Sequence, residues 1–292
     1  PLDNNCGVFA GATYDRQIFN GVAVVASGTF ETSAGDPSEN GDMSQWCETK
    51  EMLPLFGSKK ITVWYPGSSW SDSTPGFWDS SNNAGNKTAC TQDKTKNASC
   101  AWLQASGVSL VGALASGSLF TGTFTYANMN GTASFGQKYK YTARPTALRL
   151  KYHATLGTVN YNKHNGPLEK DKDIMDQCSF TVCIVDWDTR HDVQSGTSAP
   201  KGIWDPITMG ELPVDKQNGI IGYGVKYSSE NTPGTDLIPL EIPIKYYQQT
   251  NAAPDGENKF TIIISVSTSR YGDYLNGCDK NKIYVDDFEW VY

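Results

Sequence analysis

Residues 146–154 have the sequence TALRLKYHA and carry the clearest strand pattern in the chain. Apolar side chains alternate with basic ones, which is the period of a β-strand with one buried face. The apolar side chains share one face: Leu148, Leu150 and Tyr152. The basic side chains share the other: Arg149, Lys151 and His153. This second face is either the solvated outside of a sheet or the floor of a concave binding site.

Three neighbouring segments extend the strand pattern. Residues 119–126 alternate Phe, Gly and Tyr with threonine, which predicts a half-buried strand. Residues 179–187 are apolar on both faces, which predicts a central, buried strand. Residues 240–247 also alternate, but Pro243 removes a backbone donor, so this strand should lie at a sheet edge or carry a bulge.

The other predicted strands, and the scarcity of predicted helix, decide the fold class. Further strands are predicted at residues 61–65, 101–104, 108–114, 220–227, 260–266 and 283–291. The one short helix predicted spans residues 168–177, because Pro167 suits a first helical turn. There is no βαβ rhythm and no repeat of 20–50 residues. The sequence therefore predicts an all-β antiparallel sandwich, with a jelly roll or an immunoglobulin-like sandwich as the natural architecture.

Composition along the chain suggests how it is divided. Residues 33–41 are rich in Gly, Ser, Pro and Asp, which is typical of a linker. We therefore expect an N-terminal extension or linker at residues 1–37 and one sandwich domain at residues 38–292. The core of that domain should contain inward-facing side chains of three strands: Leu148, Leu150, Phe180, Val182, Ile262 and Ile264.

Charge and hydropathy limit the class of partner. The chain has 24 Lys and Arg against 31 Asp and Glu, a formal net charge of −7. This sign disfavours nucleic acid and anionic membrane surfaces as partners. No apolar run reaches 18 residues, so no transmembrane span is expected. The chain starts PLDNN without a basic and apolar leader, and we expect a processed or truncated start.

The seven cysteines leave at least one thiol without an internal partner. Cys90 and Cys100 flank a polar loop that a disulfide could close, whereas Cys178 and Cys183 should lie on opposite faces of one strand and stay unbonded. Neither CxxC spacing nor a zinc-site pattern occurs. We favour buried free thiols, which behave as small apolar side chains.

Several segments together resemble one protein family. They follow in the family's order and read NGDMSQW (40–46), FWDSSN (77–82), LFTG (119–122), ASFGQ (133–137), ARPTAL (143–148), SVSTSRYGD (265–273) and YVDDF (284–288). They are similar to the motifs of PCMD, the putative carbohydrate metabolism domain of glycan-degrading gut bacteria. The sequence departs from the family pattern at residues 267–271, where Arg270 and Tyr271 partly replace a run of small polar residues.

The resemblance implies a fold and a cellular location. The implied fold is a galactose-binding-like jelly roll, often behind an immunoglobulin-like domain for which residues 1–37 are too few. The implied location is secreted or at the cell surface, as an outer-membrane-anchored lipoprotein, with the periplasm as an alternative.

Sugar recognition combines an aromatic ring that stacks on the pyranose with planar polar partners for its hydroxyls. Three segments offer this combination, and we predict a carbohydrate site from the following residues: Trp78, Asn82, Trp187, Arg270, Tyr271 and Asp273. For Trp78 and Trp187 the alternative is that each fills the sandwich interior.

A catalytic function would need a different pattern. The sequence has no GxSxG, HExxH or GxxxxGK[ST] motif, and its three histidines show no triad pattern. A glycoside hydrolase needs two carboxylates on either side of the scissile bond, about 5–9.5 Å apart. The candidates are Asp186, Asp188 and Asp273, but sequence spacing does not place any two of them across a sugar.

A structural calcium ion is the one cofactor considered, and none is required for binding itself. Jelly-roll sugar-binding modules often hold calcium with a carboxylate of the last strand, and calcium takes six to eight oxygen ligands. The candidates here are Asp286 and Asp287, with Asp42 as partner. The alternative is that Asp286 or Asp287 accepts hydrogen bonds from backbone amides.

The favoured function is a non-catalytic carbohydrate-binding surface protein that captures an oligo- or polysaccharide. A glycoside hydrolase is the first alternative. A structural or adhesion sandwich that binds protein through an exposed sheet edge is the second.

Overall fold

The computed structural model describes residues 13–20, 23–31, 39–52, 59–71, 74–85, 89–139, 144–247 and 258–292. The strands, numbered along the chain, are β1 (Thr13–Asn20), β2 (Ala23–Glu31), β3 (Trp46–Met52), β4 (Ile61–Pro66), β5 (Trp78–Asp79), β6 (Thr91–Asp93), β7 (Cys100–Gln104), β8 (Ser106–Val108), β9 (Ala113–Ala115), β10 (Ser118–Ala127), β11 (Asn130–Phe135), β12 (Ala147–Thr155), β13 (Tyr161–Asn162), β14 (Cys178–Trp187), β15 (His191–Gly196), β16 (Ile220–Ser228), β17 (Ile238–Pro243), β18 (Lys245–Tyr246), β19 (Phe260–Ser267), β20 (Asn276–Gly277) and β21 (Lys282–Val291). In these residues the one α-helix, α1, spans Val214–Asn218, and 3-10 turns lie at Ser81–Ala84, Ser109–Val111 and Gly272–Tyr274.

Two antiparallel sheets form the body of the fold. The larger has the strand order β15-β11-β10-β19-β14-β16-β18, and β5 also pairs with β10. The smaller has the order β17-β12-β21-β7-β6. Side chains from both meet in one core, which contains all six predicted residues at 1% exposure or less: Leu148, Leu150, Phe180, Val182, Ile262 and Ile264. This arrangement confirms the predicted all-β sandwich.

Strand β14 is central, as its two apolar faces predict, because it pairs with β16 on one side and β19 on the other. One face contributes to the core between the sheets. On the opposite face Cys183 and Val185 pack with Ile263 and Leu212 in a second, smaller apolar cluster. The larger sheet is therefore apolar on its outer face as well, and this face positions the candidate site.

Pro243 lies at a sheet edge, which confirms the prediction made from its missing donor. Strand β17 ends at Pro243 and is the edge strand of the smaller sheet. The next strand, β18, pairs with β16 at the edge of the larger sheet. The chain thus changes sheets at this proline, where no ladder hydrogen bond from its nitrogen is needed.

The basic face of β12 is the solvated outside of the smaller sheet. Arg149 forms ion pairs of 3.0 Å with Glu241 and Glu289 on the two neighbouring strands. Lys151 pairs with Asp287 at 2.7 Å. His153, in contrast, is buried at 7% exposure. Arg149 and Lys151 therefore fit the first alternative, the solvated outside of a sheet.

The predicted helix at residues 168–177 is wrong. This segment consists of turns and extended chain, and Met175 forms a bridge with Thr158. The backbone of Leu168 is bound by amide side chains, because Asn276 accepts its N–H at 3.1 Å and donates to its carbonyl at 2.9 Å. These side chains form hydrogen bonds with the backbone N–H and C=O groups that would otherwise pair within a helix.

One strand prediction needs correction, and two strands of the larger sheet have no local sequence signal. The single strand predicted at 108–114 is two strands, β8 and β9, joined by a turn in which Gly112 has φ +61°. Strands β11 and β15 were not predicted, since their sequences NGTASF and HDVQSG lack apolar alternation. They form through pairing with β10 and with each other, which is tertiary context that a local pattern does not contain.

All described cysteines are free thiols. Cys90 and Cys100 are fully buried and unbonded, so the disulfide considered for them does not form. Burial raises the pKa of the Cys100 thiol to about 12. Cys178 and Cys183 are unbonded and lie in different apolar clusters, as expected. Cys6 lies outside the described residues.

The N-terminal region contains a hairpin of β1 and β2. The division at residue 37 stays a prediction. Within the described ranges, no helix is long and apolar enough to cross a membrane.

Candidate functional site

A cleft of about 730 Å³ lies on the outer face of the larger sheet, the face turned away from the smaller sheet. Its floor comes from strands β10, β11, β14 and β19, which contribute Phe124, Phe135, Thr181, Ile263 and Ser265. Ile263 and Ser265 alternate with the core residues of β19, which explains why they face outward. Clefts of this volume accept small organic ligands.

Three segments build the walls of the cleft. The first is residues 203–206, with Trp204 and Asp205, and the second is residues 269–275, with Arg270 and Asp273. The third is the β8–β9 hairpin, which contributes Val108 and Val111. All three connect strands instead of belonging to the main sheets, so the rigid sheet carries variable segments around its open face.

Arg270 lies at the centre of the polar wall. Its guanidinium carbon is 3.6 Å from the ring centroid of Tyr227 and 4.9 Å from that of Tyr271. One guanidinium nitrogen is 3.4 Å from Asp205 Oδ2, and another donates to Gln177 Oε1 at 3.2 Å. These contacts hold the planar group in one orientation at the cleft surface.

Asp205 connects the first and second walls of the cleft, residues 203–206 and 269–275. Its Oδ2 accepts a hydrogen bond of 3.1 Å from the Tyr227 hydroxyl, and its Oδ1 accepts one of 2.8 Å from the Ile207 N–H. Burial, together with the Asp205 charge, raises the pKa of Tyr227. The phenol therefore stays protonated and continues to donate at neutral pH. Arg270, Tyr227 and Asp205 form a preorganised polar array.

Asp273 offers a carboxyl group to the cleft. Its backbone carbonyl accepts a 2.7 Å hydrogen bond from the Ser195 hydroxyl, whereas no described residue donates to its carboxyl oxygens. Burial raises the pKa of this carboxyl to about 6. Near that pH the group exchanges between an acceptor-only carboxylate and a proton donor. It can therefore bind a ligand hydroxyl in either role.

The wall segment that carries Arg270 and Asp273 is fixed by the fully buried Asp176. Asp176 Oδ2 accepts from Ser269 Oγ at 2.7 Å, from Cys278 N at 2.8 Å and from Asn281 Nδ2 at 2.6 Å. Burial raises the pKa of Asp176, and these hydrogen bonds partly offset the rise. Because the donors precede and follow residues 270–277, Asp176 closes the base of this loop.

Two of the predicted sugar contacts are core residues. Trp78 is 0% exposed, and its indole nitrogen donates to the Glu39 carbonyl at 2.6 Å. Asn82 is also 0% exposed; its amide donates to the carbonyls of Trp64 and Cys90 and accepts from the Cys90 N–H. Neither side chain has surface that a sugar could contact. The alternative weighed for Trp78, a residue that fills the interior, is correct.

Trp187 is likewise buried, at 2% exposure. Its indole nitrogen donates to the Lys216 carbonyl at 2.9 Å, and its ring packs edge-on against Trp204 at 6.0 Å. Trp204 lines the cleft, so Trp187 supports the wall from behind and does not stack on a sugar. The sequence analysis missed Trp204 because residues 197–212 show no regular pattern.

The structure separates the three predicted catalytic carboxylates. Asp186 is exposed and forms a 2.9 Å ion pair with Lys259, and Asp188 is exposed at the turn after β14. Neither lines the cleft, whereas Asp273 does. Two acids that the sequence analysis did not single out, Asp205 and Glu211, also line the cleft. Of the three candidate carboxylates, Asp273 is therefore the one at the cleft, where Asp205 and Glu211 also lie.

The predicted calcium ligands have other partners. Asp286 is 1% exposed; its Oδ2 accepts from Asn97 Nδ2 at 2.5 Å and its Oδ1 from the Asp287 N–H at 2.9 Å. Asp287 faces the Lys151 ammonium at 2.7 Å, and Asp42 accepts from Ser44. Over the described part of the chain, no three His, Cys, Asp or Glu residues are grouped for a metal ion. All three candidate carboxylates therefore have protein partners in this structure.

A comparison with the models of known protein families identifies the family of this chain. The model of the putative carbohydrate metabolism domain matches residues 30–291. The chain belongs to this family. The resemblance seen in the sequence motifs is thereby confirmed, and the PCMD domain includes both main sheets and the cleft. No curated protein matches this PCMD chain.

Solved structures share the fold of this PCMD protein. One is a putative glycoside hydrolase from Bacteroides thetaiotaomicron VPI-5482, with 15% identity and a TM-score of 0.50, covering 92% of this chain and 76% of that one. Another is a putative glycoside hydrolase from Bacteroides vulgatus ATCC 8482, with 15% identity and a TM-score of 0.53, covering 84% of this chain and 97% of that one. At this identity the likeness concerns the fold. The carbohydrate-related role follows from the family match.

Proposed function

We propose that this PCMD protein binds a carbohydrate in the cleft on the outer face of its larger sheet. The observation that carries the proposal is the polar array of Arg270, Tyr227 and Asp205 in the same cleft as Asp273 and the ring of Tyr271. Planar charged groups that are already oriented make directional hydrogen bonds to sugar hydroxyls, and an adjacent aromatic ring stacks on the pyranose face.

Membership of a carbohydrate-metabolism family gives this site its ligand class. Three of the six residues predicted from the sequence, Arg270, Tyr271 and Asp273, lie together here. The other predicted contacts, Trp78, Asn82 and Trp187, have structural roles. The proposed site therefore combines the predicted loop that carries Arg270, Tyr271 and Asp273 with a second wall, residues 203–206, that was not predicted.

A glycan array followed by calorimetric titration of the best ligand tests the proposal. Tyr271→Ala should weaken binding by about 1–2 kcal/mol, the scale of a lost aromatic contact. Arg149→Ala, an exposed substitution on the opposite sheet, is the control and should leave the affinity unchanged. Unchanged affinity in both Tyr271→Ala and Asp273→Ala would contradict the assignment of the cleft.

Hydrolysis is the second candidate, favoured by one specific observation. Asp273, whose pKa is raised to about 6, and Asp205, held by Arg270, line the same cleft. An acid that is partly protonated near neutral pH and a second carboxylate are the two groups that a glycosidase needs. If the protein is an enzyme, Asp273→Asn should abolish release of reducing sugar and leave binding largely intact. No release by wild-type protein from any bound glycan would support binding alone.

A location at the cell surface belongs to the same proposal, since capture of a polymer too large to enter the cell takes place outside it. Brief protease treatment of intact cells that express the full-length protein tests the location. Loss of the protein before any cytoplasmic marker is the expected result, and full protection would contradict it.

A further inference from the structure

The cleft has two chemically different parts. The polar groups, Arg270, Asp205 and Asp273, are on its walls. The floor is mostly aromatic and aliphatic, with Phe124, Phe135 and Ile263, and its hydroxyl-bearing residues are Thr181 on β14 and Ser265 on β19. The Phe124 ring also lies close over Gly131, where a β-carbon would come within 2.6 Å of it, so this ring is fixed in place by the neighbouring strand.

The apolar character continues to the mouth of the cleft. Met129, at 48% exposure, lines the cleft at the β10–β11 turn. Ile207, at 49% exposure, lies between two lining residues, and Leu110, at 82% exposure, lies at the tip of the β8–β9 hairpin beside the lining residue Val111. Exposed apolar residues that are grouped around a cavity mark a binding site, whereas scattered ones do not.

A plain oligosaccharide fits only one of these parts. Its hydroxyls find partners on the polar wall, but hydroxyls placed against the rings of Phe124 and Phe135 would lose water without gaining a hydrogen bond, which is unfavourable. An apolar substituent on the sugar has the opposite preference, because the floor and the mouth remove its surface from water. The two parts of the cleft are thus complementary to the two ends of an amphipathic glycoside.

We propose that the cleft binds a carbohydrate that carries an apolar group, with the sugar on the Arg270, Asp205 and Asp273 wall and the apolar group on the floor beside Phe124 and Met129. This inference rests on the proposed function and names its ligand class. The volume of about 730 Å³ lies within the range of about 300–1,000 Å³ typical of ligand pockets, and both parts of such a ligand share one cavity.

Matched sets of methyl, octyl and 2-naphthyl β-glycosides of glucose, galactose and N-acetylglucosamine provide the test, with affinities measured by calorimetry below the micelle concentration of the octyl compounds. For at least one sugar we expect the octyl or the naphthyl glycoside to bind about tenfold or more tightly than the methyl glycoside. A preference for octyl identifies an alkyl group, and a preference for naphthyl identifies an aromatic group.

Two substitutions test where in the cleft the apolar group of the ligand binds. Met129→Ser, which replaces an exposed side chain and should not affect folding, is expected to reduce the preference for the apolar glycoside at least threefold and to leave the methyl glycoside unchanged. Phe124→Ala should do the same more strongly. Val214→Ser is the matched control, because Val214 is 71% exposed and does not line the cleft.

The outcomes separate this inference from the proposed function. Equal affinities for methyl and apolar glycosides, or a preference that Met129→Ser and Val214→Ser leave equally intact, would overturn the inference and leave carbohydrate binding in place. Failure of every glycoside and every glycan on the array to bind would overturn the proposed function itself.

Discussion

The guanidinium of Arg270 lies over the ring of Tyr227, with 3.6 Å between its central carbon and the ring centroid. Both side chains also contact one carboxylate oxygen, Asp205 Oδ2. The array joins β16, the loop after β19 and the segment after β15, so two walls of the cleft are tied to the larger sheet. Ligand binding and local stability should therefore respond together to changes at Arg270.

Arg270→Lys tests this coupling. Lysine keeps the charge but loses the planar group that packs on the ring and reaches both Asp205 and Gln177. We expect the free energy of unfolding to fall by about 0.5–2 kcal/mol, the range for a partly buried cation–π contact. Urea denaturation measures this change in the free energy of unfolding. Arg149→Lys, at an exposed ion pair, is the control and should change stability by less than about 0.5 kcal/mol; equal effects at the two positions would contradict the prediction.

Asp176→Ala should destabilise the protein and weaken ligand binding. It leaves the donors on Ser269, Cys278 and Asn281 buried without their acceptor, and each unsatisfied group costs about 1–3 kcal/mol. The loop that carries Arg270 then loses its anchor. Thermal unfolding and calorimetric titration measure the two effects. The exposed Asp192→Ala is the control, and unchanged stability of Asp176→Ala would show that the network is dispensable.

Stability should fall as the pH rises from about 4 to about 6. Unfolded aspartate has a pKa near 3.9, whereas burial raises the pKa of Asp273 to about 6 in the folded protein. In this window the folded state binds more protons than the unfolded state, so the free energy of unfolding decreases with pH and is level above the window. Asp286, whose pKa burial also raises to about 6, acts in the same direction.

Asp273→Asn removes one of the two contributions, from Asp273 and Asp286, to the pH dependence of the free energy of unfolding. Its free energy of unfolding, measured by urea titration at pH 4.5 and 7.5, should change less between the two values than that of the wild type. Asp188→Asn, at an exposed site, should retain the wild-type difference. If the free energy of unfolding fell more between pH 4.5 and 7.5 in Asp273→Asn than in the wild type, the predicted direction of the Asp273 contribution would be wrong.

Calcium should not contribute to stability through Asp286. Its two carboxylate oxygens already accept from Asn97 and from the Asp287 N–H. We expect the melting temperature to be the same in excess EDTA and in millimolar calcium, because a ligand that binds only the folded state would raise it. Asp286→Ala should cost about 1–3 kcal/mol through the loss of these hydrogen bonds. A lower melting temperature in EDTA would restore the calcium site.

The sequence by itself determined the sandwich and its interior. The alternation at Leu148 and Leu150 and the two apolar faces around Val182 are local patterns, and a strand's side chains alternate between faces wherever the strand lies. Pro243 could be placed at a sheet edge for an equally local reason, since proline lacks the donor that a ladder needs. The family motifs are local as well, and they identified the family correctly.

Only the tertiary structure decided where the candidate site is. Trp78 lies in a segment of mixed polarity, and what buries it is contact with residues far along the chain, such as Phe288. Arg270 and Asp205 are 65 positions apart, and the walls of the cleft come from turns without periodicity. The outer face of the larger sheet becomes a cleft only when the segment after β15, the β8–β9 hairpin and the loop after β19 meet above it, and this convergence depends on long-range packing that no local pattern of residues encodes.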